Sequence, residues 1–147
     1  MSGVIDTNVL LYAANRDAPQ HERAFSFLLE TGKSSAAWYL TEGIVYEFLR
    51  ASTHPRVFPA PLAASDAISF LAPMLTSTRF TVLSAGPRHW SVLSEVIAEL
   101  RSPSGNLFFD IRTVALMREH GVRRIYSADT DFLQFEGIDV RNPVKGR

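Results

Sequence analysis

Four carboxylates occupy positions from which a fold can gather them. Asp6 closes the stretch "GVID", where Val4 and Ile5 begin a buried strand, so the acid falls where the chain leaves the core. Asp129 follows "RIYSA" in the same way. Glu47, in "IVYEFLR", flanks rather than opposes an apolar face made by Ile44, Val45, Phe48 and Leu49. Asp110, in "GNLFFDIRTVAL", flanks a stripe of Leu107, Ile111, Val114 and Ala115. Taken singly, each has an ordinary explanation: "DTN" and "DTD" both supply helix-capping chemistry, and an acid on a helix is usually solvated. Taken together, they cannot all ionise cheaply in one crevice unless a cation neutralises them. Oxygen-only donors select hard divalent ions such as Mg²⁺ or Mn²⁺. The chemistry of such a site is phosphoryl transfer, with the cation polarising a phosphoryl oxygen and lowering the pKa of a water.

The elements that must position these acids can be read from the apolar periodicity. Five short runs read as strands: 3–6, 36–40, 80–85, 123–128 and a weaker 137–141. Helical patterns lie between them, over 7–15, 21–31, 42–52, 62–76, 86–100 and 106–120. Pro61 and Pro87 are expected in first helical turns, and Gly121 as a C-terminal cap. Strands alternating with helices imply crossover connections, hence an α/β fold with a mainly parallel sheet covered on both faces. Ligands of open sheets of this kind bind beyond the carboxyl ends of the strands, where Asp6 and Asp129 emerge if their strands are near each other.

Composition narrows the class. A chain of 147 residues, 46% hydrophobic and 20% charged, suits one compact soluble domain over 1–147. The longest apolar run, "VLLYAA" at 9–14, is too short for a bilayer, and no signal peptide is visible, so a cytoplasmic location is expected and no membrane partner. Without cysteine there is no disulfide, thiol catalysis or cysteine-ligated metal. Fifteen basic residues balance fifteen acidic ones, so a nucleic-acid surface has to come from local clustering.

The ordered set "VIDTNVLLY" at 4–12, "EFLRASTHPRVFPAPL" at 47–62, "GNLFFD" at 105–110, "EHG" at 119–121, "SADTDF" at 127–132 and "NP" at 142–143 resembles the PIN-domain ribonucleases, specifically the VapC-type toxins of bacterial type II toxin–antitoxin pairs. The resemblance implies a three-layer PIN-like fold and an endoribonuclease using Mg²⁺ (or Mn²⁺). It makes Asp6, Glu47, Asp110 and Asp129 the acids that catalyse and hold metal. Ser127 would orient a water or a carboxylate, Asp131 would be an extra acid, and Thr7, Asn8 and Asn106 would play supporting parts that helix capping explains equally well. It further implies an RNA substrate, a cognate antitoxin laying a C-terminal segment over the crevice, and a homodimer formed through helices. One departure is the helix after Asp110, "DIRTVALM", where a run richer in alanine is expected, so packing or access there should differ.

Rival chemistries fare less well. An aspartyl-phosphate phosphatase needs an acid two residues after the first Asp, where this chain has Asn8, and a receiver-type domain needs a phospho-accepting Asp that neither middle strand supplies. A catalytically silent PIN-like module binding RNA or protein is the remaining alternative, and four intact acids argue against it. His21, His54, His89 and His120 show no zinc-ligand spacing and read as surface or helix-end residues. Trp38 and Trp90 read as core. One or both of Phe108 and Phe109 read as core filling, with base stacking as the alternative, and Arg50, Arg56, Arg88 and Arg112 are candidates for gripping phosphates, although scattered arginines on helices are usually just solvated.

Overall fold

The computed structural model describes residues 1–146. Five strands form one sheet: β1 (Gly3–Ile5), β2 (Trp38–Thr41), β3 (Phe80–Leu83), β4 (Arg124–Tyr126) and β5 (Asp139–Arg141), in the order β3-β2-β1-β4-β5. Every pairing is parallel, so the sheet is more uniformly parallel than the expected mixture. The helices are α1 (Thr7–Ala14), α2 (His21–Lys33), α3 (Glu42–Ser52), α4 (Ala64–Leu75), α5 (His89–Ala98) and α6 (Leu107–Glu119), with a 3-10 helix at Thr130–Gln134.

Handedness sets the layers. The connections β1 to β2 and β2 to β3 step one way across the sheet, whereas β3 to β4 steps back. Right-handed crossovers therefore place α1–α4 on one face and α5 and α6 on the other. The packing agrees: α1 lies against α2 and α3, and α5 against α6. β1 is central and wholly buried, while the edge strand β3 exposes Thr81 and Val82. Trp38, Phe48 and Phe132 are the largest fully buried side chains.

Local chemistry explains the ends of the elements. Thr41 closes β2 and caps α3, its Oγ1 accepting from the Ile44 amide at 3.1 Å. Gly121, at φ +69°, ends α6 in a left-handed turn in which the Val122 amide donates to Met117 O at 2.9 Å and the Gly121 amide to Arg118 O at 3.3 Å. Only glycine takes that conformation freely, so the expected cap is present.

Several expectations are corrected. Pro61 lies outside the fourth helix, because the Leu62 amide donates to Ser52 O and ties the chain back to α3, leaving the helix to begin at Ala64. Pro87 likewise lies inside a turn closed by the His89 amide on Gly86 O, and α5 begins only at His89. Trp90 is not core: it is 75% exposed. Neither Phe108 nor Phe109 fills the interior. His89, by contrast, is buried, with Nδ1 2.6 Å from Glu119 Oε2 across the α5–α6 contact.

The β1–β4 contact leaves no room at Gly3, where a Cβ would stand 2.6 Å from the carbonyl oxygen of Arg124. Backbone cannot swing aside as a side chain does. Gly3→Ala is expected to destabilise the fold by about 1–3 kcal/mol, as overpacking does. Urea unfolding of the two proteins measures it, and equal midpoints would show that the strands separate freely.

Candidate active site

The exits of β1 and β4 are adjacent because the strands pair directly, Ile5 opposite Tyr126. Asp6 follows Ile5 and is 8% exposed, yet it does not lack partners. Its Oδ1 accepts from the Thr7 amide at 2.8 Å, and its Oδ2 accepts from Ser127 Oγ at 2.7 Å and Asn8 Nδ2 at 3.1 Å. Asn8 Nδ2 also donates to Ser127 Oγ, and Asn8 Oδ1 accepts from the Ala128 amide, both at 3.1 Å. Ser127 Oγ in turn accepts from the Asp129 amide at 2.9 Å. Three short polar side chains thus bind the two strand exits into one unit.

The other acids approach from three elements. Asp129 caps the 3-10 helix, its Oδ1 accepting from the Asp131 amide at 2.8 Å. Asp110 stands in the first turn of α6, half-buried, and Glu47 on α3 accepts from Thr7 Oγ1 at 3.2 Å. Carboxylate oxygens of Asp110, Asp129 and Asp131 lie within 4.8 Å of one another, the spacing of a cation's ligands. Asp6 and Glu47 are outside that trio, whereas Asp131, anticipated only as an extra acid, is inside it. Asn106 precedes α6 without a side-chain capping bond and lines the crevice.

Charge crowding is visible in the titration of two acids. Burial pushes Asp6 up from 3.8 to about 6, against the hydrogen bonds from Ser127 and Thr7, and Glu47 and Asp129 add repulsion. Burial, then the charges of Asp6, Asp129, Asp131 and Glu47, push Asp110 to about 7. All five acids therefore share one field.

Two adjoining cavities open here. One, of about 270 Å³, reaches from Asp6 and Asp110 to Tyr46, Arg50 and Arg112; the other, of about 260 Å³, holds Asp129, Asp131 and Asn106. Glu47, Arg50, Phe109 and Asp110 belong to both. Gly43 and Tyr46 were not anticipated. A signal existed, since 43, 46, 47 and 50 recur at helical spacing and mark one face of α3.

A PIN domain family profile matches residues 3–138. Ribonuclease VapC48 of Mycobacterium tuberculosis (strain CDC 1551 / Oshkosh) is 34% identical over 146 residues, covering 99% of this chain and 100% of its own length. Among solved structures, VapBC2 from Rickettsia felis, bound to a DNA fragment from its promoter, superposes with a TM-score of 0.68 at 15% identity, covering 97% of this chain and 98% of that one. Mycobacterium tuberculosis VapC20, described as a sarcin-ricin loop cleaving toxin, gives 0.67 at 16% identity, covering 94% and 98%. With a family match running from the first strand into the last turn before β5, and a full-length relative at that identity, the chain belongs to the PIN-domain family and, within it, to the VapC group.

Proposed function

We propose that this protein is a divalent-cation-dependent endoribonuclease that hydrolyses RNA phosphodiesters and acts as the toxin of a toxin–antitoxin pair. The observation that carries the reading is the convergence of five carboxylates at the carboxyl edge of a parallel sheet, three of them at ligand spacing. Relatives named as ribonucleases supply the substrate class, and a VapBC assembly among the structural neighbours supports an antitoxin as partner. A homodimer formed through helices, a single domain over 1–147 and a cytoplasmic location belong to the same reading. Among the described residues no helix is long and apolar enough to cross a membrane.

The donor set fits Mg²⁺ or Mn²⁺, since every candidate ligand is a carboxylate oxygen and burial makes the uncompensated charges costly. Asp110, Asp129 and Asp131 would hold the ion. When bound, it polarises a phosphoryl oxygen and eases deprotonation of water. The chain's own residues do the rest. Ser127, Asn8 and the Thr7 amide fix the Asp6 carboxylate, and Thr7 Oγ1 fixes Glu47. From there Asp6 and Glu47 accept hydrogen bonds from the attacking water, align it opposite the leaving oxygen and take up its proton. Attack by water needs no ribose 2′-hydroxyl, so the products carry 5′-phosphate and 3′-hydroxyl ends.

Cleavage by the purified protein is expected to require Mg²⁺ or Mn²⁺ and to stop in EDTA. Undiminished cleavage in excess chelator, scored on a gel with end-group analysis, sinks the mechanism.

The two acids of the 3-10 turn are not equivalent. Asp129 repels both Asp6 and Asp110 and also caps the turn that carries Asp131, whereas Asp131 is felt by Asp110. Asp131→Ala is expected to lower kcat/KM by at least about 10-fold, the lower end for residues that only support a metal's ligands, and Asp129→Ala by more. The reverse order in steady-state rates contradicts the assignment.

Crowding also predicts a pH-dependent penalty. Asp6 and Asp110 have folded values of about 6 and about 7, above their unfolded 3.8. Raised carboxylates destabilise the fold fully above pH about 7. The penalty fades as pH falls through both values and is gone near pH 4. Without metal, Asp110→Asn should therefore melt above wild type at pH 7, lose that advantage near pH 4, and gain less from added Mn²⁺. Asp6→Asn is the poorer probe, because its amide would present a donor to Ser127 or Asn8. An Asp110→Asn protein that melts lower at pH 7 and gains as much from Mn²⁺ shows that these acids do not share a site.

A further inference from the structure

The two edges of the sheet are finished differently. β5 carries Asp139 and Arg141, and Arg124 and Arg141 both donate to Asp139, at 2.8 and 2.9 Å, so charge guards that side against a further strand. β3, at the other edge, reads "FTVL" and holds no charge, proline or glycine. The Trp38 amide donates to Arg79 O at 2.8 Å, and alternate residues of a parallel ladder turn the same way. Thr81 and Leu83 therefore bond to β2, while Phe80 and Val82 direct their N–H and C=O groups out of the sheet.

α4 overhangs that edge with a second uncharged surface. Register puts Phe80 beside Trp38 and Val82 beside Leu40, and the Trp38 ring meets Phe27 of α2, so both β3 side chains point to the face that carries α4. Phe70 turns from α4 towards α3, its ring 5.3 Å from that of Phe48. Ile68 and Leu75 stand about 140–160° round the helix from Phe70, and so point away from α3 and over the free edge. They are 44% and 37% exposed, and Val82 on the strand below is 37% exposed.

We propose that this edge pairs two copies of the chain, with the β3 strands antiparallel across a two-fold axis and the two α4 stripes packed side by side. Outward backbone groups must oppose outward backbone groups. In the register centred on Thr81, Phe80 faces Val82 on both sides of the axis, each pair exchanging both of its hydrogen bonds. Thr81 meets Thr81 at the centre, a favoured cross-strand pair, and Arg79 faces Leu83, so no charge opposes another. Such a contact is isologous and closes on itself. A foreign peptide strand would satisfy β3 yet leave Ile68 and Leu75 uncovered, whereas a second copy brings its own stripe to the same face. The axis stands perpendicular to the sheet, so the carboxyl edges with their acids point opposite ways and both crevices stay open. The pairing is independent of the ribonuclease reading and of any dimer built on other helices.

Sedimentation equilibrium of the full chain tests this. Thr81→Lys and Thr81→Asp each set like charges on backbones about 4.5 Å apart across the axis, from a position exposed in the single chain. Each should halve the wild-type molar mass and leave the far-UV circular dichroism unchanged. An equimolar mixture of the two variants should regain the wild-type mass, because lysine then meets aspartate. Ile68→Lys, which leaves the strand untouched, should weaken pairing by at least about 10-fold. A wild-type mass no greater than that of Thr81→Lys overturns the proposal, and so does a mixture that stays at the mass of the separate variants. An Ile68→Lys protein that pairs as tightly as wild type overturns the packing of the α4 stripes.

Discussion

The clasp of Asp6, Asn8 and Ser127 is the interaction on which the site depends. β1 and β4 are distant in sequence and adjacent in the sheet, and a parallel pair fixes only their backbones. Asn8 and Ser127 convert that adjacency into a fixed carboxylate, donating to one oxygen of Asp6 while Thr7 N donates to the other. Ser127 passes the order onward by accepting from the amide of Asp129, and Asp129 by accepting from that of Asp131. A chain of hydrogen bonds therefore runs from the central strand to the outermost acid. Each donor is short and belongs to a residue at a strand exit, so the geometry has little rotamer freedom to lose.

Electrostatics pulls against that order. Hydrogen bonds lower the pKa of Asp6, yet burial and neighbouring charges win and leave it near 6. Asp110 accepts no hydrogen bond among the described residues and rises further, to about 7. Under the proposed function, two carboxylates kept reluctantly ionised near neutrality favour a cation, because a bound ion would remove the penalty that burial imposes. Arg50 and Arg112 line the same cavity as Asp6, Glu47 and Asp110, yet among the described residues neither forms a salt bridge, so neither neutralises the acids internally.

The helix carrying Asp110 shows how scaffold and site are coupled. α6 is buried at Ile111 and from Thr113 to Met117, because it shares one face of the sheet with α5 and packs against it. The run "DIRTVALM" supplies the bulk that this layer needs, and Arg112 is the one residue of the interval that reaches outward. The departure from an alanine-rich helix thus has a packing reason, and its one exposed position lies in the cavity wall.

Much of this was determined by the sequence alone. The alternation of short apolar runs with helical periods specified an α/β fold with a mainly parallel sheet, and Asp6, closing "GVID", and Asp129, following "RIYSA", marked the edge where acids gather, since ligands of such sheets bind beyond the carboxyl ends of the strands. The start of α3 and the glycine end of α6 were also legible, because capping is local chemistry. Tertiary structure decided the rest. Pro61 and Pro87 permit a helix start but do not compel one, and bonds to distant carbonyls or side chains moved both helices downstream. Trp90, Phe108 and Phe109 looked like core because hydrophobicity is a property of the residue, whereas burial depends on whether another element arrives to cover it. The close trio of Asp110, Asp129 and Asp131 was undecidable for the same reason: which oxygens come within 4.8 Å of one another depends on how a 3-10 turn is laid beside a helix about twenty residues earlier in the chain, and nothing in the local pattern of "DTD" records that distance.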